Sequence, residues 1–203
     1  MRKTKEEADV TRQNLLKAAL AVFSRQGYHA TRLEDIAEEA GVTRGAIYHH
    51  FGGKAELYNT LAAEAAARVM PVIQQAIDEG GTPLTALRRL LVRTLEYAER
   101  DADFRAVTEL IAFKTEVIPE LQEGMNKKVE GNRKMIAFLT QLIQQGIDAG
   151  EIRAEVEPQD AALTLLGLQN GLLTLWLLDP ALFSLKARAA AIADLWLAGL
   201  TVR

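Results

Sequence analysis

The chain has no cysteine, which removes disulfide frameworks and thiolate metal sites from consideration. Catalytic side chains are almost as scarce: two serines, Ser24 and Ser184, and three histidines, His29, His49 and His50, all within the first 50 residues. A serine nucleophile needs a histidine base within hydrogen-bond reach, and the histidines cluster where a different role claims two of them. Neighbouring His49 and His50 diverge by about 100° on a helix, so they do not form a two-histidine metal face. Acidic pairs such as Glu6/Glu7 and Glu38/Glu39 fall on polar faces, where solvated charge accounts for them. The expectation is a protein that is not an enzyme, with no catalytic residue, no metal and no cofactor. Period-two alternation bounded by hairpin signals is also missing, which leaves little room for strands. The N-terminus MRKTKEEADVTRQ has no apolar h-region, and no run reaches the ~18 apolar residues of a membrane span, so no membrane association and a cytoplasmic location are expected.

What is present is an ordinary balance of 49 % hydrophobic and 25 % charged residues in 203, enough for one or two globular domains. The net charge of −3 speaks at first against a nucleic-acid partner. Its distribution matters more. Residues 1–60 carry nine Lys/Arg (2, 3, 5, 12, 17, 25, 32, 44, 54) against eight Asp/Glu, whereas the remaining 143 carry 15 against 19. A small basic face on an N-terminal domain is compatible with that asymmetry, and the rest of the chain is unsuited to DNA.

The informative stretch runs from Gly27 to Leu57. Leu33, Ile36, Ala37 and Ala40 recur at helical spacing, Gly41 stops the helix, Thr43 can cap a second one, and Ile47 returns an apolar side chain to pin it. This is the spacing of a helix-turn-helix: Ala37 is small where two helices approach, and Gly41 can take the positive φ of the turn. The second helix then presents residues suited to a major groove. Arg44 can bond guanine O6 and N7 bidentately, Thr43 a phosphate or a thymine methyl, and Gly45 lets backbone approach the duplex. Tyr48 and His49 can reach phosphates, as can Thr31 and Arg32 ahead of the first helix and Lys54 at the start of the next long one. Thr31 can instead cap the free amides of that first helix.

Around this motif the pattern predicts about nine helices. A first helix runs from a Thr11 cap to Gly27 with the stripe Leu15, Leu16, Ala19, Leu20, Val22 and Phe23. Helices over Leu33–Ala40 and Arg44–His50 complete a small domain with too little core to be secure alone. A fourth helix, from Lys54 to Glu79, would be ~39 Å long, long enough to serve two domains, with Pro71 kinking it near Val69. Later helices are expected over 83–100, 103–115, 121–149, 158–178 and 185–200. The eighth carries no charge between Ala161 and Leu178 and is apolar around its circumference, so it must be covered on more than one side. Two accounts stand: a central core helix in a monomer, or pairing of helices 8 and 9 with a second copy to form a four-helix interface. Gly167 and Gly171, one turn apart, suit either.

The segment GYHATRLEDIAEEAGVTRGAIYHHFGGKAEL resembles the N-terminal domain of TetR-family transcriptional repressors. The opening RKTKEEADVTRQNLL and the later ELIAFKTEV and GLLTLWLLDPALFSLKA are similar to the AcrR/TtgR-like multidrug-efflux repressor subfamily, so the resemblance covers nearly the whole chain. It implies an all-α fold with a three-helix DNA-binding domain, residues 1–54, and a larger helical-bundle domain for ligand binding and dimerisation, residues 55–203. It implies a homodimer on a pseudo-palindromic double-stranded operator, released by a hydrophobic small-molecule inducer. Carried over position by position, it places Leu91, Thr94, Thr108, Ala112, Asn132, Leu139, Leu166, Asn170 and Thr174 around a ligand cavity. The subfamily usually has Trp where this chain has His49, and Asn, Asp or Ser near Gly52 and Gly53, so operator preference is expected to differ. Two other readings remain: a constitutive DNA-binding regulator whose C-terminal domain only dimerises, and a helical carrier or enzyme with an incidental motif.

Overall fold

The computed structural model describes residues 5–116 and 118–201. Arg2 and Lys3 of the N-terminal charge balance, and the outer ends of the two expected domains, lie outside them. Among the described residues there are nine α-helices: α1 (Lys5–Ala30), α2 (Leu33–Glu39), α3 (Arg44–Phe51), α4 (Lys54–Asp78), α5 (Pro83–Arg100), α6 (Ala102–Phe113), α7 (Gln122–Asp148), α8 (Pro158–Leu178) and α9 (Leu185–Ala198). A 3-10 turn, Pro119–Leu121, precedes α7, and a single antiparallel bridge joins Ile152 to Thr201.

Helix ends follow local chemistry, with two corrections. The first helix begins near Lys5 rather than at Thr11, whose hydroxyl donates to the Glu7 carbonyl one turn back instead of capping (2.7 Å). Gly27 interrupts α1 with φ 78°, as its conformational freedom allows, but helical turns resume through Ala30. The fourth helix continues through Pro71, which is exposed. At α5, Thr82 accepts a hydrogen bond from the Thr85 amide (3.3 Å) and Pro83 occupies the first turn, where no amide partner is needed.

Two compact units result. The first holds the chain up to Ala66 together with Ala106–Met125, so the three N-terminal helices gain the first half of α4 and a returning segment that enlarge their core. Leu15, Ala19 and Phe23 of α1, Ile36 of α2, Ile47 and Phe51 of α3, Leu57 of α4 and Leu110 of α6 are buried in it. Phe23, Tyr28 and Tyr58 pack ring against ring, with centroids 5.1 to 6.1 Å apart. The Tyr28 hydroxyl donates to Glu120 (2.8 Å), and burial first, then this carboxylate, pushes it above its ordinary range. The returning segment is fastened by the Tyr28 amide donating to the Lys114 carbonyl (3.0 Å) and by the Lys114 ammonium donating to the Ser24 carbonyl (2.8 Å).

The second unit comprises Ala67–Arg105 and residues from Asn126 onward. Its core joins Leu87, Leu91 and Leu95 of α5, Ile143 of α7, Ala162 and Leu165 of α8, and Ala189 and Ala193 of α9. The two alanines of α9, one turn apart and both wholly buried, let α9 lie close on α5. At its start Ser184 accepts from the Ala187 amide (3.0 Å) and donates to Glu99 of α5, which also accepts from the Lys186 amide (2.8 Å).

Within the chain, helix α8 is covered on one side. Ala161, Ala162, Leu165, Trp176 and Leu177 are buried, while Leu163, Gly167, Gly171, Leu175 and Leu178 form an open face. By length and mean hydropathy it is apolar enough to cross a membrane, which corrects the reading that no segment reaches that threshold, yet only 22 % of its most apolar window is buried. The threshold is met because nine leucines between Ala161 and Leu178 outweigh two threonines, one glutamine and one asparagine, with no charged residue among them.

Candidate nucleic-acid interface

The turn between α2 and α3 forms as its residues require. Gly41 takes φ 65°, its amide donates to the Glu38 carbonyl (3.0 Å), and the Val42 amide reaches back to the Ala37 carbonyl (2.9 Å). These two bonds are the Schellman pair that satisfies the last carbonyls of α2. Ile36, Ala37 and Ile47 are buried, giving the two helices an apolar inner side.

The outer side of α3 carries the residues expected to read DNA. Thr43, Arg44, Gly45, Tyr48 and His49 are all exposed, while Ile47 and Phe51 point inward. Phe51 is a packing residue: it is 1 % exposed, and the Arg12 guanidinium lies 5.0 Å from its ring centroid while bonding Glu64 (3.0 Å). Thr43 occupies the N-cap position without spending its hydroxyl on a cap bond. Gly52 ends α3 at φ 64°, and a Cβ there would come within 2.9 Å of the Glu56 carboxylate.

Arg44 is held rather than free. Its guanidinium donates to the Glu34 carboxylate of α2 (2.6 Å) and to the Tyr48 hydroxyl (2.9 Å). The Tyr48 bond first, then the charge of Glu34, raises its already high pKa further. Two further acids of α2 are also engaged: Arg25 bonds Glu39 (2.6 Å), and Asp35 accepts from the Arg32 amide (3.0 Å) and the Gln26 side chain (2.9 Å). Those two bonds hold Asp35 below the usual carboxylate range.

Two expected phosphate contacts have other duties. Thr31 is 2 % exposed and donates its hydroxyl to the Gly27 carbonyl (2.7 Å), so it neither caps α2 nor faces solvent; Arg32 is the N-cap residue. Lys54 turns its ammonium inward onto the carbonyls of Tyr28 (3.1 Å), Thr31 (3.0 Å) and His29 (3.4 Å), 4.5 Å from the Tyr28 ring centroid. The carbonyls at the end of α1 lack helical partners, and the cation satisfies them. Sequence reasoning missed this role because an exposed-looking lysine after a Gly-Gly pair carries no sign of carbonyls that converge only in three dimensions. Glu34 was missed too; its ten-residue separation from Arg44 across a turn was the available signal.

The nine expected ligand positions divide between the units. Thr108, half-buried, and Ala112, exposed, belong to the first. In the second, Leu91 and Leu139 are buried, Thr94 is buried with its hydroxyl on the Leu90 carbonyl (2.7 Å), and Leu166 is half-buried. Asn132, Asn170 and Thr174 are exposed, and Thr174 donates to the Asn170 carbonyl (2.9 Å) on the open side of α8. Near the start of α6, Tyr97, Phe104, Asp101 and Arg68 form a polar-aromatic cluster: the Tyr97 hydroxyl donates to Asp101 (2.6 Å) and is pushed up to about 12, by burial before the carboxylate.

Comparison with known proteins finds two family regions in the chain. Residues 15–61 match the family described as bacterial regulatory proteins, tetR family, and residues 82–202 match the MAATS-type transcriptional repressor, C-terminal region. The chain is 34 % identical over 191 residues to the HTH-type transcriptional regulator AcrR of Shigella flexneri, covering 93 % of this chain and 88 % of that one. It superposes on NalD, the secondary repressor of the MexAB-OprM multidrug efflux pump in Pseudomonas aeruginosa, with a TM-score of 0.87, 28 % identity, and 97 % and 98 % of the two chains covered. It is also similar to SmeT in a complex with triclosan, with a TM-score of 0.80, 27 % identity, and 95 % and 92 % covered. With a helix-turn-helix at one end and a MAATS-type region at the other, the chain belongs to the TetR family of DNA-binding transcriptional repressors, which are not enzymes.

Proposed function

We propose that the protein is a ligand-responsive, cytoplasmic repressor of an efflux-pump or drug-resistance operon, released from its operator by a hydrophobic small molecule. The observation that carries this reading is likeness to efflux repressors over nearly the full chain, C-terminal region included. The exposed set Thr43, Arg44, Gly45, Tyr48 and His49 supports groove reading, and Arg32, at the start of α2, is exposed as well. A dimer through α8 and α9 is supported by Leu163, Leu175, Leu178 and Leu195, which stand 45 to 78 % exposed. Two recognition helices then meet half-sites ~34 to 36 Å apart, or a multiple. A ligand that favours another spacing shifts the population off DNA, and α4, continuous from Lys54 to Asp78, is the natural lever.

The test is a gel shift on the chain's own upstream region, repeated with hydrophobic compounds including triclosan. Retardation relieved by a compound that also binds the protein supports the reading; saturation without change in operator affinity refutes it. A second reading, a constitutive regulator whose C-terminal region only dimerises, draws on the satisfied hydroxyl of Thr94 and the outward placement of Asn170 and Thr174. It predicts DNA binding indifferent to every compound.

A further inference from the structure

The feature that DNA binding alone does not explain is the acid that meets the reading arginine. Arg44 and Glu34 are both more than half exposed, at 54 and 57 %, and lie 2.6 Å apart. An exposed ion pair contributes little to stability, so holding the fold together is a poor account of it. It also works against non-specific attraction, because a carboxylate beside the guanidinium repels the phosphates that a free arginine would seek. We propose that Glu34 is a specificity-determining residue: it withholds Arg44 from phosphates and leaves it for neutral acceptors on a base edge.

Arginine offers five donors in a rigid fork. Glu34 and the Tyr48 hydroxyl engage one each, on separate terminal nitrogens, and so hold the group from two sides. The remaining N–H groups can bond guanine O6 and N7, which are uncharged and pay little repulsion from the carboxylate. A phosphate oxygen in the same place pays it in full, in a medium less screening than water. Glu34 thus penalises random contacts more than matched ones, which is how specificity is gained by weakening the competitor.

This inference rests on the repressor reading, and the experiment separates the two. Full-length wild type first selects sequences from a random duplex pool; affinities for the selected site and for random duplex are then measured across salt for wild type, Glu34→Gln and Glu38→Gln. Glu38→Gln removes one exposed negative charge from the same helix without touching Arg44. Glu34→Gln is expected to raise random-DNA affinity about fivefold to tenfold at 0.1 M salt and steepen its salt slope by about one, and to change selected-site affinity less than about threefold. In an Arg44→Ala background the same substitution is expected to have no such effect. An unchanged ratio of selected to random affinity, or an equal change in Glu38→Gln, overturns the proposal while leaving the repressor reading intact. A wild type that enriches no sequence overturns both.

Discussion

Replacing Lys54 by methionine separates a structural cation from a DNA contact. Methionine keeps an aliphatic stem over Tyr28 and removes the ammonium that three carbonyls share at 3.0, 3.1 and 3.4 Å. A hydrogen bond from a charged donor contributes ~1.5–3 kcal/mol, and the longest of the three adds little. Because the side chain is half-buried and water can re-solvate the His29 carbonyl, two such bonds are discounted to a net loss of ~2–3 kcal/mol. For a chain of this length that lowers the unfolding midpoint by about 5–10 °C. Operator affinity should fall as the end of α1 loosens, but the slope of log affinity against log salt should stay that of wild type. A phosphate contact behaves oppositely: each one lost flattens the slope by about 0.9 and leaves stability alone. Calorimetry and salt-titrated anisotropy on one preparation decide between them, and an unshifted midpoint with a flattened slope refutes the structural account.

Arg44→Ala should reduce operator affinity by about tenfold to a hundredfold and relax preference at one base position, measured by binding to single-base variants of the selected site. At Gly167 a Cβ would meet nothing within 4 Å in the protomer, so Gly167→Leu should leave the fold intact yet shift sedimentation toward monomer, as should Leu195→Glu. For Asp101, burial opposes ionisation, but bonds from the Phe104 amide and the Tyr97 hydroxyl, with the Arg68 charge, hold its carboxyl below the unfolded value of 3.8. Its contribution is therefore full above pH 3.8 and lost as pH falls through the lower folded value, so Asp101→Asn should weaken the protein at neutral pH and soften its acid unfolding limb in a pH series of urea melts.

Local rules carried most of the helical reading. Gly80 and Gly81 followed by Thr82 and Pro83 mark a stop and a start that need only neighbouring residues, and α5 and α8 begin and end where the pattern places them. The helix-turn-helix was equally legible, because Ala37, Gly41 and Ile47 act within eleven positions of one another. Thr11 misled because a threonine inside a helix can bond the carbonyl four residues back as readily as it caps.

Sequence alone therefore determined the helices, the turn and the outward face of α3, all products of spacing and backbone chemistry over a few residues. Tertiary structure decided what each polar group does with its charge. Lys54 found carbonyls 23 to 26 positions away, and Arg44 found Glu34 across a turn. It also opened one side of α8, whose composition is apolar all round and so cannot say which side its own chain covers. Hydrogen bonds and burial depend on where distant segments converge, and periodicity carries no record of that.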